Sequence, residues 1–433
     1  MAKPVQNGNQ SDRKSVTSPT CPMDKGHLFG TKPKSLSQIV NPQFVNGQIS
    51  ENTKIFSVVS FLTDLSSEMI FPLLPIFLKE VLFASEFEIG LVEAAAVGSI
   101  GLFSLLSIYF INKLKNEKNA VIFGYSISSL VKFGFAFATN WIYVLGIRFF
   151  ERMGKGIRDV ARDTLIVVSE NKKNLGKAFG IRETMDTTGA ILGPLIAGIL
   201  LLIFASQPIA ESYKNIFLIA AVVATFSVPL LFFVKQGGEN KKVPLNEVKN
   251  CLFNEEHNGT LVMIAFLFFT QVSLAFFILR TSEFLELWMV PIAYLTYNVL
   301  YAIFCLPAGQ LVDAFGARKV LLFGLILYIT GLVLFGFFPT TMTIFIGFAL
   351  IGVFEAILKI STKIVAINEI DHHRYDVVFS VYRSISTVIR VPSTLIAGLL
   401  YTFTIFGSPA TFIFGIICSL VCIKLVTKEN KKE

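Results

Sequence analysis

The stretch IRFFERMGKGIRDVARDTLI, residues 147–166, decides the fold of this chain. Its basic residues follow one another at intervals of four, three, three and four, which places them in one stripe along a helix. They are Arg148, Arg152, Lys155, Arg158 and Arg162. Each would cost about 3 kcal/mol or more at the centre of an isolated membrane helix. Such a stripe persists only where it faces protein or a water-filled cavity, so the sequence predicts a membrane protein with a charged interior.

The composition of the chain excludes a soluble domain. Of its 433 residues, 53% are hydrophobic and only 16% are charged, whereas about a quarter of the residues of a soluble domain are charged. The net charge of +8 does not indicate nucleic-acid binding, because the excess lies in the tail and loops without interleaved stacking aromatic residues. The five cysteines are scattered, which predicts neither a disulfide framework nor a metal site.

Apolar segments of about 20 residues or more, the length that spans a bilayer, occur twelve times. They cover residues 55–83, 88–111, 119–138, 141–167, 175–204, 214–234, 259–285, 288–312, 319–338, 341–366, 375–405 and 408–426. Segments five and eleven should be the least regular, since Gly193 and Pro194 interrupt the first and Pro392 the second.

Lysine and arginine favour one side of the membrane. If the amino terminus is inside, the inner connections hold nearly all of them and the outer connections little beyond Lys79 and Lys214. The positive-inside rule therefore predicts that both termini are cytoplasmic. Residues 1–53 are polar and contain no apolar run, which predicts a disordered cytoplasmic tail. Residues 428–433 form a second, short tail.

The two halves of the chain repeat each other in order and at a nearly constant offset. The matches include LIAG at 195–198 and 395–398, FG at 123–124 and 323–324, and FGF at 133–135 and 335–337. Parallel six-helix repeats are typical of transporters with two-fold pseudosymmetry. We therefore predict an all-α membrane protein of two six-helix bundles, residues 54–234 and 259–427, joined by a cytoplasmic linker at 235–258.

Two stretches carry a family resemblance. The loop GQLVDAFGARK at 309–319 resembles the G-x-L-x-D-x-x-G-x-R-K signature of the major facilitator superfamily. The stretch GIRETMDTTGAILGPLIAG at 180–198 is similar to its antiporter motif, with Ala197 where that motif has glycine, and Arg152 with Gly156 resembles its R-x-x-x-G motif. The resemblance covers about residues 54–427 and implies a twelve-helix fold with a central cavity.

The resemblance also implies a gate. In the family this loop locks the two halves together on the cytoplasmic side, which here assigns gating to Asp313, Arg318 and Lys319. The equivalent loop after segment two has Asn112 in place of the acidic residue, so only the second copy forms the full lock. Asymmetric gating, in which Asp313 holds the outward-open state, is therefore expected.

Small residues in segment five predict close helix packing. Gly189, Gly193 and Gly198 should lie along one side of the segment and let a neighbouring helix approach. Pro194 removes a backbone donor and permits bending. These residues serve either plain packing or a hinge that transport uses.

Two carboxylates in segment one are candidates for proton coupling. Asp64 and Glu68 are four residues apart and share a helix face, and Asp64 lies about ten residues from Lys54, which is roughly mid-bilayer at 1.5 Å per residue. A carboxyl group at that depth favours its protonated form unless a cation is near. Proton coupling and a structural ion pair with segment four or eleven remain open alternatives.

Further charged residues at membrane depth are candidates for substrate binding and gating. The substrate-binding candidates are Arg148, Arg152, Lys155, Glu355, Lys359, Arg383 and Arg390. The gating candidates nearer the cytoplasmic ends are Arg162, Asp163, Arg182 and Glu183. Because basic residues outnumber acidic ones, the cavity favours an anionic or zwitterionic solute. The alternative is that the charges cancel in pairs and many phenylalanines hold an amphipathic cation.

The sequence predicts secondary active transport. It lacks a Walker-type phosphate loop and a nucleophile–base constellation, so we expect no enzyme, no cofactor and no metal, and an ion gradient as the energy source. We expect a monomer in a bacterial inner membrane that exchanges a small organic solute for protons by alternating access, with export by antiport favoured. Uptake of an organic anion by proton symport is one alternative, and a non-transporting membrane sensor is another.

Overall fold

The computed structural model describes residues 49–114, 116–170, 175–236, 258–369, 375–403 and 408–429, which contain helices and no strand. The α-helices are α1 (Glu51–Ile70), α2 (Leu74–Glu80), α3 (Glu86–Lys113), α4 (Glu117–Lys132), α5 (Trp141–Ser169), α6 (Leu175–Ile203), α7 (Ile209–Thr225), α8 (Ser227–Leu231), α9 (Asn258–Phe269), α10 (Leu274–Ser282), α11 (Met289–Phe315), α12 (Ala317–Phe337), α13 (Thr341–Glu369), α14 (Tyr375–Val388), α15 (Arg390–Phe403) and α16 (Ser408–Glu429). Most of the predicted tail and of the predicted linker lies outside the described residues, and the division into two bundles stays a prediction.

Eleven stretches of the described residues are long and apolar enough to cross a membrane. They correspond to every predicted segment except the fourth. That segment is α5, which has 29 residues and therefore the length to span, but its charged stripe lowers its hydropathy. The predicted all-α fold with twelve membrane segments is confirmed.

The helix breaks differ from those expected. Segment five is one continuous helix, α6, although Pro194 lies inside it. Pro194 leaves the carbonyl of Ala190, four residues earlier, without its helical donor, and the Asn298 side chain donates to that carbonyl at 2.8 Å. Segment eleven does break, at Ile389, between α14 and α15.

Segments one and seven also break, at corresponding positions of the two halves. Segment one is interrupted at Phe71–Leu73, which includes Pro72. Segment seven is interrupted at Thr270–Ser273, which contains no proline. In a membrane protein, non-helical backbone is tolerated only where protein or a cavity surrounds it. Both breaks therefore mark the part of the bundle where a cavity is expected.

The two halves touch closely at one end of the bundle. A Cβ atom placed on Gly90 of α3 would lie 3.3 Å from Cα of Gly398 in α15. Nearby, the Phe87 backbone N–H donates to the Thr402 hydroxyl at 2.9 Å. Small residues and a hydrogen bond to the backbone thus allow α3 and α15 to close this end without a gap.

Hydrogen bonds anchor the carboxyl-terminal end of α5 to the start of α1. Glu170 accepts hydrogen bonds from the Ser50 backbone N–H at 2.8 Å and the Thr53 hydroxyl at 2.7 Å. Partial burial of this carboxylate disfavours its charge, but the hydrogen bonds from Thr53 and Ser50 outweigh burial and lower the pKa of Glu170. The ionised carboxylate therefore fixes the end of α5, and with it the charged stripe, against the start of α1.

Candidate functional site

Helices of both halves enclose a cavity of about 180 Å³. Its walls combine aromatic, aliphatic, charged and polar side chains. The lining residues are Phe71, Glu93, Ala96, Val97, Ile100, Arg148, Arg152, Gln271, Val272, Ser273, Leu274, Tyr297, Tyr328, Ile351, Phe354, Glu355, Arg390 and Thr394. A cavity that a few convergent polar groups share with apolar walls is the usual form of a small-molecule site.

The break in segment seven lies in the cavity wall. Gln271 to Leu274 line the cavity, and the polar backbone that the break exposes is bonded by neighbouring segments. The Val272 N–H donates to the Tyr328 hydroxyl at 2.8 Å, and the Ser393 hydroxyl donates to the Gln271 carbonyl at 3.1 Å. These bonds hold the non-helical stretch in a fixed position at the cavity.

The stripe on α5 is largely paired with carboxylates. Arg148 is 2% exposed and contacts two of them, Glu93 of α3 at 2.9 Å and Glu151 at 3.0 Å. The Arg152 Nε atom lies 3.6 Å from Glu151. Two hydrogen bonds from one planar guanidinium to two carboxylates are a strong and geometrically specific arrangement. Arg148 is therefore bound within the protein, whereas Arg152 is held less tightly.

A second charged cluster lies in the other half of the chain. Glu355 of α13 accepts a hydrogen bond from Gln271 at 2.7 Å and lies 3.3 Å from Lys359 and 3.6 Å from Arg390. Lys359 also lies over the ring of Tyr301, 4.6 Å from its centre. Of these residues, Glu355, Arg390 and Gln271 line the cavity, and Lys359 is not part of its lining.

Several buried polar atoms of the cavity wall have no hydrogen-bond partner within the described part of the chain. They are Nε of Arg148, Arg152 and Arg390, and Oε1 of Gln271. Buried polar groups are normally satisfied, so unpartnered groups at a cavity indicate a ligand or water that completes them. Three donors and one acceptor without a hydrogen-bond partner among the described residues thus belong to side chains of the cavity wall.

Comparison with known proteins identifies the family. A family model described as Major Facilitator Superfamily matches residues 56–289 and 261–433. An uncharacterized MFS-type transporter of Methanocaldococcus jannaschii is 32% identical over 386 residues, which cover 86% of this chain and 94% of that protein. The chain belongs to the major facilitator superfamily.

Other superfamily members share less sequence. The multidrug resistance protein MdtG of Proteus mirabilis is 26% identical over 298 residues, covering 65% of this chain and 71% of that protein. Among solved structures, the nucleoside transporter NupG superposes with a TM-score of 0.70 at 13% identity and covers 87% of this chain and 98% of its own. The D-xylose-proton symporter gives 0.67 at 12% identity, with coverage of 86% and 96%. At these identities the structures show the superfamily fold alone.

The predicted proton-coupling residues lie where α6 meets α1. A Cβ on Gly193 would lie 2.7 Å from Cβ of Glu68, and one on Gly189 would lie 3.4 Å from Cβ of Asp64. Glu68 in turn accepts a hydrogen bond from Tyr294 of α11 at 3.0 Å. The glycines of the superfamily's antiporter-like motif therefore bring α6 directly against the part of α1 that carries Asp64 and Glu68.

Gly198 corrects one expectation. A Cβ there would meet α11, 3.0 Å from Cδ1 of Ile292, and not α1. The three glycines therefore do not lie along one side of α6. The step of five residues from Gly193 rotates Gly198 by about 140°, at 3.6 residues per turn, to another helix face.

The gating candidates form two ion-pair groups. Arg162 contacts Asp163 at 2.9 Å and Asp159 at 3.2 Å, and Asp159 also lies 3.5 Å from Arg383 of α14. Arg383, predicted to bind substrate, thus bridges two segments outside the cavity lining. The second group lies within α6. There Arg182 pairs with Glu183 and, at 3.6 Å, with Asp186.

The remaining predicted residues are placed less fully. Lys155 is half-buried and makes no ion pair within the described residues. Arg318 is half-buried and Lys319 exposed at the start of α12. The side chain of Asp313 lies outside what the structure describes, so its gating role stays a prediction.

Some site residues were not predicted from the sequence. Glu93, Gln271 and Asp159 are charged or polar residues inside membrane segments, and that signal alone could have nominated them. Tyr297 and Tyr328 gave no such signal, because aromatic residues are frequent throughout the chain. Their position at the cavity follows only from the packing of the helices.

Proposed function

We propose that this protein is a proton-coupled secondary transporter that moves a small organic solute across the membrane by alternating access. The observation that carries the proposal is a charged cavity between the repeats that is closed at one end. Gly90 and Gly398 bring α3 and α15 together at that end.

An anionic or zwitterionic solute fits the cavity best. Both carboxylates of the lining, Glu93 and Glu355, are already bound to cationic groups, so an amphipathic cation would have to displace Arg148 or Arg390. The unpartnered atoms are mainly guanidinium donors, and these bind acceptors such as a carboxylate. Pairing of the charges nevertheless leaves the cavity less basic than the sequence suggests.

Export by antiport is the favoured direction. Relatives of this chain carry the names multidrug resistance protein and multi-drug resistance efflux pump homologue, the latter at 22% identity over 208 residues. The antiporter-like glycines contact Asp64 and Glu68, which supports a link between helix packing and protonation. A lone carboxylate at this depth can bind and release a proton as access alternates.

The decisive experiment measures flux in sealed vesicles that contain the purified protein, with and without a pH gradient. Antiport predicts that the solute accumulates by moving in the direction opposite to the protons, and symport predicts that it moves in the same direction as the protons. A sensor predicts no flux. Asp64→Asn and Glu68→Gln should abolish gradient-driven accumulation and leave exchange of solute partly intact. Glu286→Gln, an exposed residue at a helix connection, is the matched control. Full gradient-driven transport by both variants would falsify the coupling role.

Gating by Asp313 can be tested separately. Asp313→Asn should shift the population towards the inward-open state, because the only full copy of the loop is then weakened. Spin labels on the cytoplasmic ends of the two halves report this shift as a longer distance. An equal or larger effect of a substitution at Asn112 would contradict asymmetric gating.

A further inference from the structure

Aromatic rings form much of the cavity wall. Phe71, Tyr297, Tyr328 and Phe354 all line it. Tyr297 stacks on Tyr294, with ring centres 5.6 Å apart and planes 18° apart, while Tyr328 and Phe354 stack at 4.4 Å and 19°. Stacked rings hold one another rigidly, so the wall presents flat surfaces rather than adaptable aliphatic chains. Flat rigid surfaces favour a flat ligand.

The volume of the cavity accommodates one ring. It measures about 180 Å³. An apolar cavity of about 150 Å³ in a protein binds one benzene molecule, which gives the scale. The cavity of this structure therefore has room for one ring and a small substituent.

Gln271 adds a fixed polar contact. It is 7% exposed, and its amide nitrogen donates to Glu355 at 2.7 Å, which sets the orientation of the amide. The opposite atom, Oε1, has no partner in the described part of the chain. A buried carbonyl oxygen without a donor is costly, so the site favours a ligand that donates a hydrogen bond to it.

The guanidinium groups supply the complementary donors. Nε of Arg152 and Nε of Arg390 have no hydrogen-bond partner in the described part of the chain, and these residues come from opposite halves of the chain. Arg390 also lies over the ring of Phe268, 4.9 Å from its centre, which holds its plane in place. One carboxylate that contacts both arginines would link the two halves.

We infer that the cavity binds a single-ring aromatic carboxylate that also carries a hydrogen-bond donor, such as a hydroxyl group on the ring. This inference rests on the proposed transport of an anionic solute and names the class of that solute. The ring packs against the tyrosine and phenylalanine wall, the carboxylate accepts from Arg152 or Arg390, and the donor satisfies Gln271. Each of these three contacts can be tested with a compound that lacks only the corresponding chemical group.

Binding to the purified full-length protein tests the inference with four matched compounds and the three monohydroxybenzoates. Benzoate is the reference, cyclohexanecarboxylate lacks the flat ring, benzyl alcohol lacks the charge, and benzylamine reverses it. Loss of the carboxylate should weaken binding roughly ten- to hundredfold. Loss of the flat ring should weaken it roughly two- to tenfold. At least one of the three monohydroxybenzoates should bind more tightly than benzoate.

Two variants locate the contacts, and each is read as an affinity ratio so that a general loss of folded protein does not affect the result. Gln271→Met should remove the preference for the best hydroxybenzoate over benzoate. Tyr297→Leu should remove the preference for benzoate over cyclohexanecarboxylate. Tyr143→Leu, at a half-exposed tyrosine of α5 away from the cavity, should change neither ratio.

The outcomes separate this inference from the proposed function. If cyclohexanecarboxylate binds as well as benzoate, the aromatic class is wrong while anion transport stands. If benzylamine binds best, both the aromatic carboxylate and the anionic solute are wrong. If none of the benzoates binds at millimolar concentration, the inference is refuted, and the vesicle flux experiment still decides whether the protein transports another solute.

Discussion

Replacing Arg148 and Arg152, two of the three arginines that line the cavity, by lysine should separate a structural cation from a binding cation. Arg148 contacts Glu93 and Glu151 through two nitrogen atoms, and its side chain is 3% exposed. The ammonium of Arg148→Lys can contact only one carboxylate closely, so one charge-assisted hydrogen bond is lost, which is worth about 1.5–3 kcal/mol. The other carboxylate is left buried without its partner, and this raises the total towards about 3–5 kcal/mol.

Arg152→Lys should give the opposite result. The Nε atom of Arg152 is 3.6 Å from Glu151, too far for a strong hydrogen bond, and the side chain is 14% exposed. We expect a stability loss below about 1 kcal/mol, as for partly exposed ion pairs. Loss of bidentate binding should instead lower affinity for the transported anion roughly ten- to hundredfold.

Thermal unfolding of the purified variants, with and without the anion, measures both effects. At about 2–4 °C per kcal/mol, a loss of about 3–5 kcal/mol in Arg148→Lys should lower Tm by about 6–20 °C without ligand. Arg152→Lys should unfold near the wild-type temperature and lose most of the shift that the ligand produces. If Arg152→Lys lowers Tm but leaves the affinity for the anion unchanged, Arg152 has a structural role and the reasoning is refuted.

Two further predictions follow from the helix contacts. Gly193→Val places a Cβ 2.7 Å from Cβ of Glu68, so α6 must move away from α1. We expect the variant to be less stable by about 1–3 kcal/mol and to lose gradient-driven flux. Gly180→Val is the control, because a Cβ at Gly180 would have no neighbour within 4 Å. Arg383→Gln should shift the distance distribution between the two halves, and Arg383→Lys should shift it less, because the side chain of Arg383 lies 3.5 Å from that of Asp159. An unchanged distribution in Arg383→Gln would show that this ion pair does not link the segments.

The sequence predicts the fold well because each membrane segment carries its own signal. Length and hydropathy suffice to identify eleven membrane segments. The charged stripe of α5 is compatible with a membrane segment only if other helices of a bundle surround it. The helix breaks are less predictable. Pro194 does not break α6, since Asn298 bonds the carbonyl that the proline leaves free, and that partner is 108 residues away in the chain. The break at Thr270–Ser273 depends likewise on Tyr328 and Ser393.

The candidate site is predictable in part. Intramembrane charge nominates Arg148, Arg152, Glu355 and Arg390, which all line the cavity, because an ionisable residue in a bilayer must face the interior. Which of them pair with each other cannot be read from spacing. Glu93 reaches Arg148 from another helix, and Arg383 turns towards Asp159 rather than the cavity. Partner choice is a property of three-dimensional packing.

The charge pattern of α5 has a consequence for how the chain enters the membrane. As a separate helix, α5 would place several charges in lipid at about 2.5–3.5 kcal/mol each, so it should not insert stably by itself. The residues that neutralise Arg148 include Glu93, which is synthesised earlier and lies on α3. We expect α5 to integrate only while α3 and α4 remain beside the insertion machinery. Comparing the insertion of α5 alone with that of the α3–α5 segment would check this order of assembly, and Glu93→Leu should reduce insertion of the longer segment.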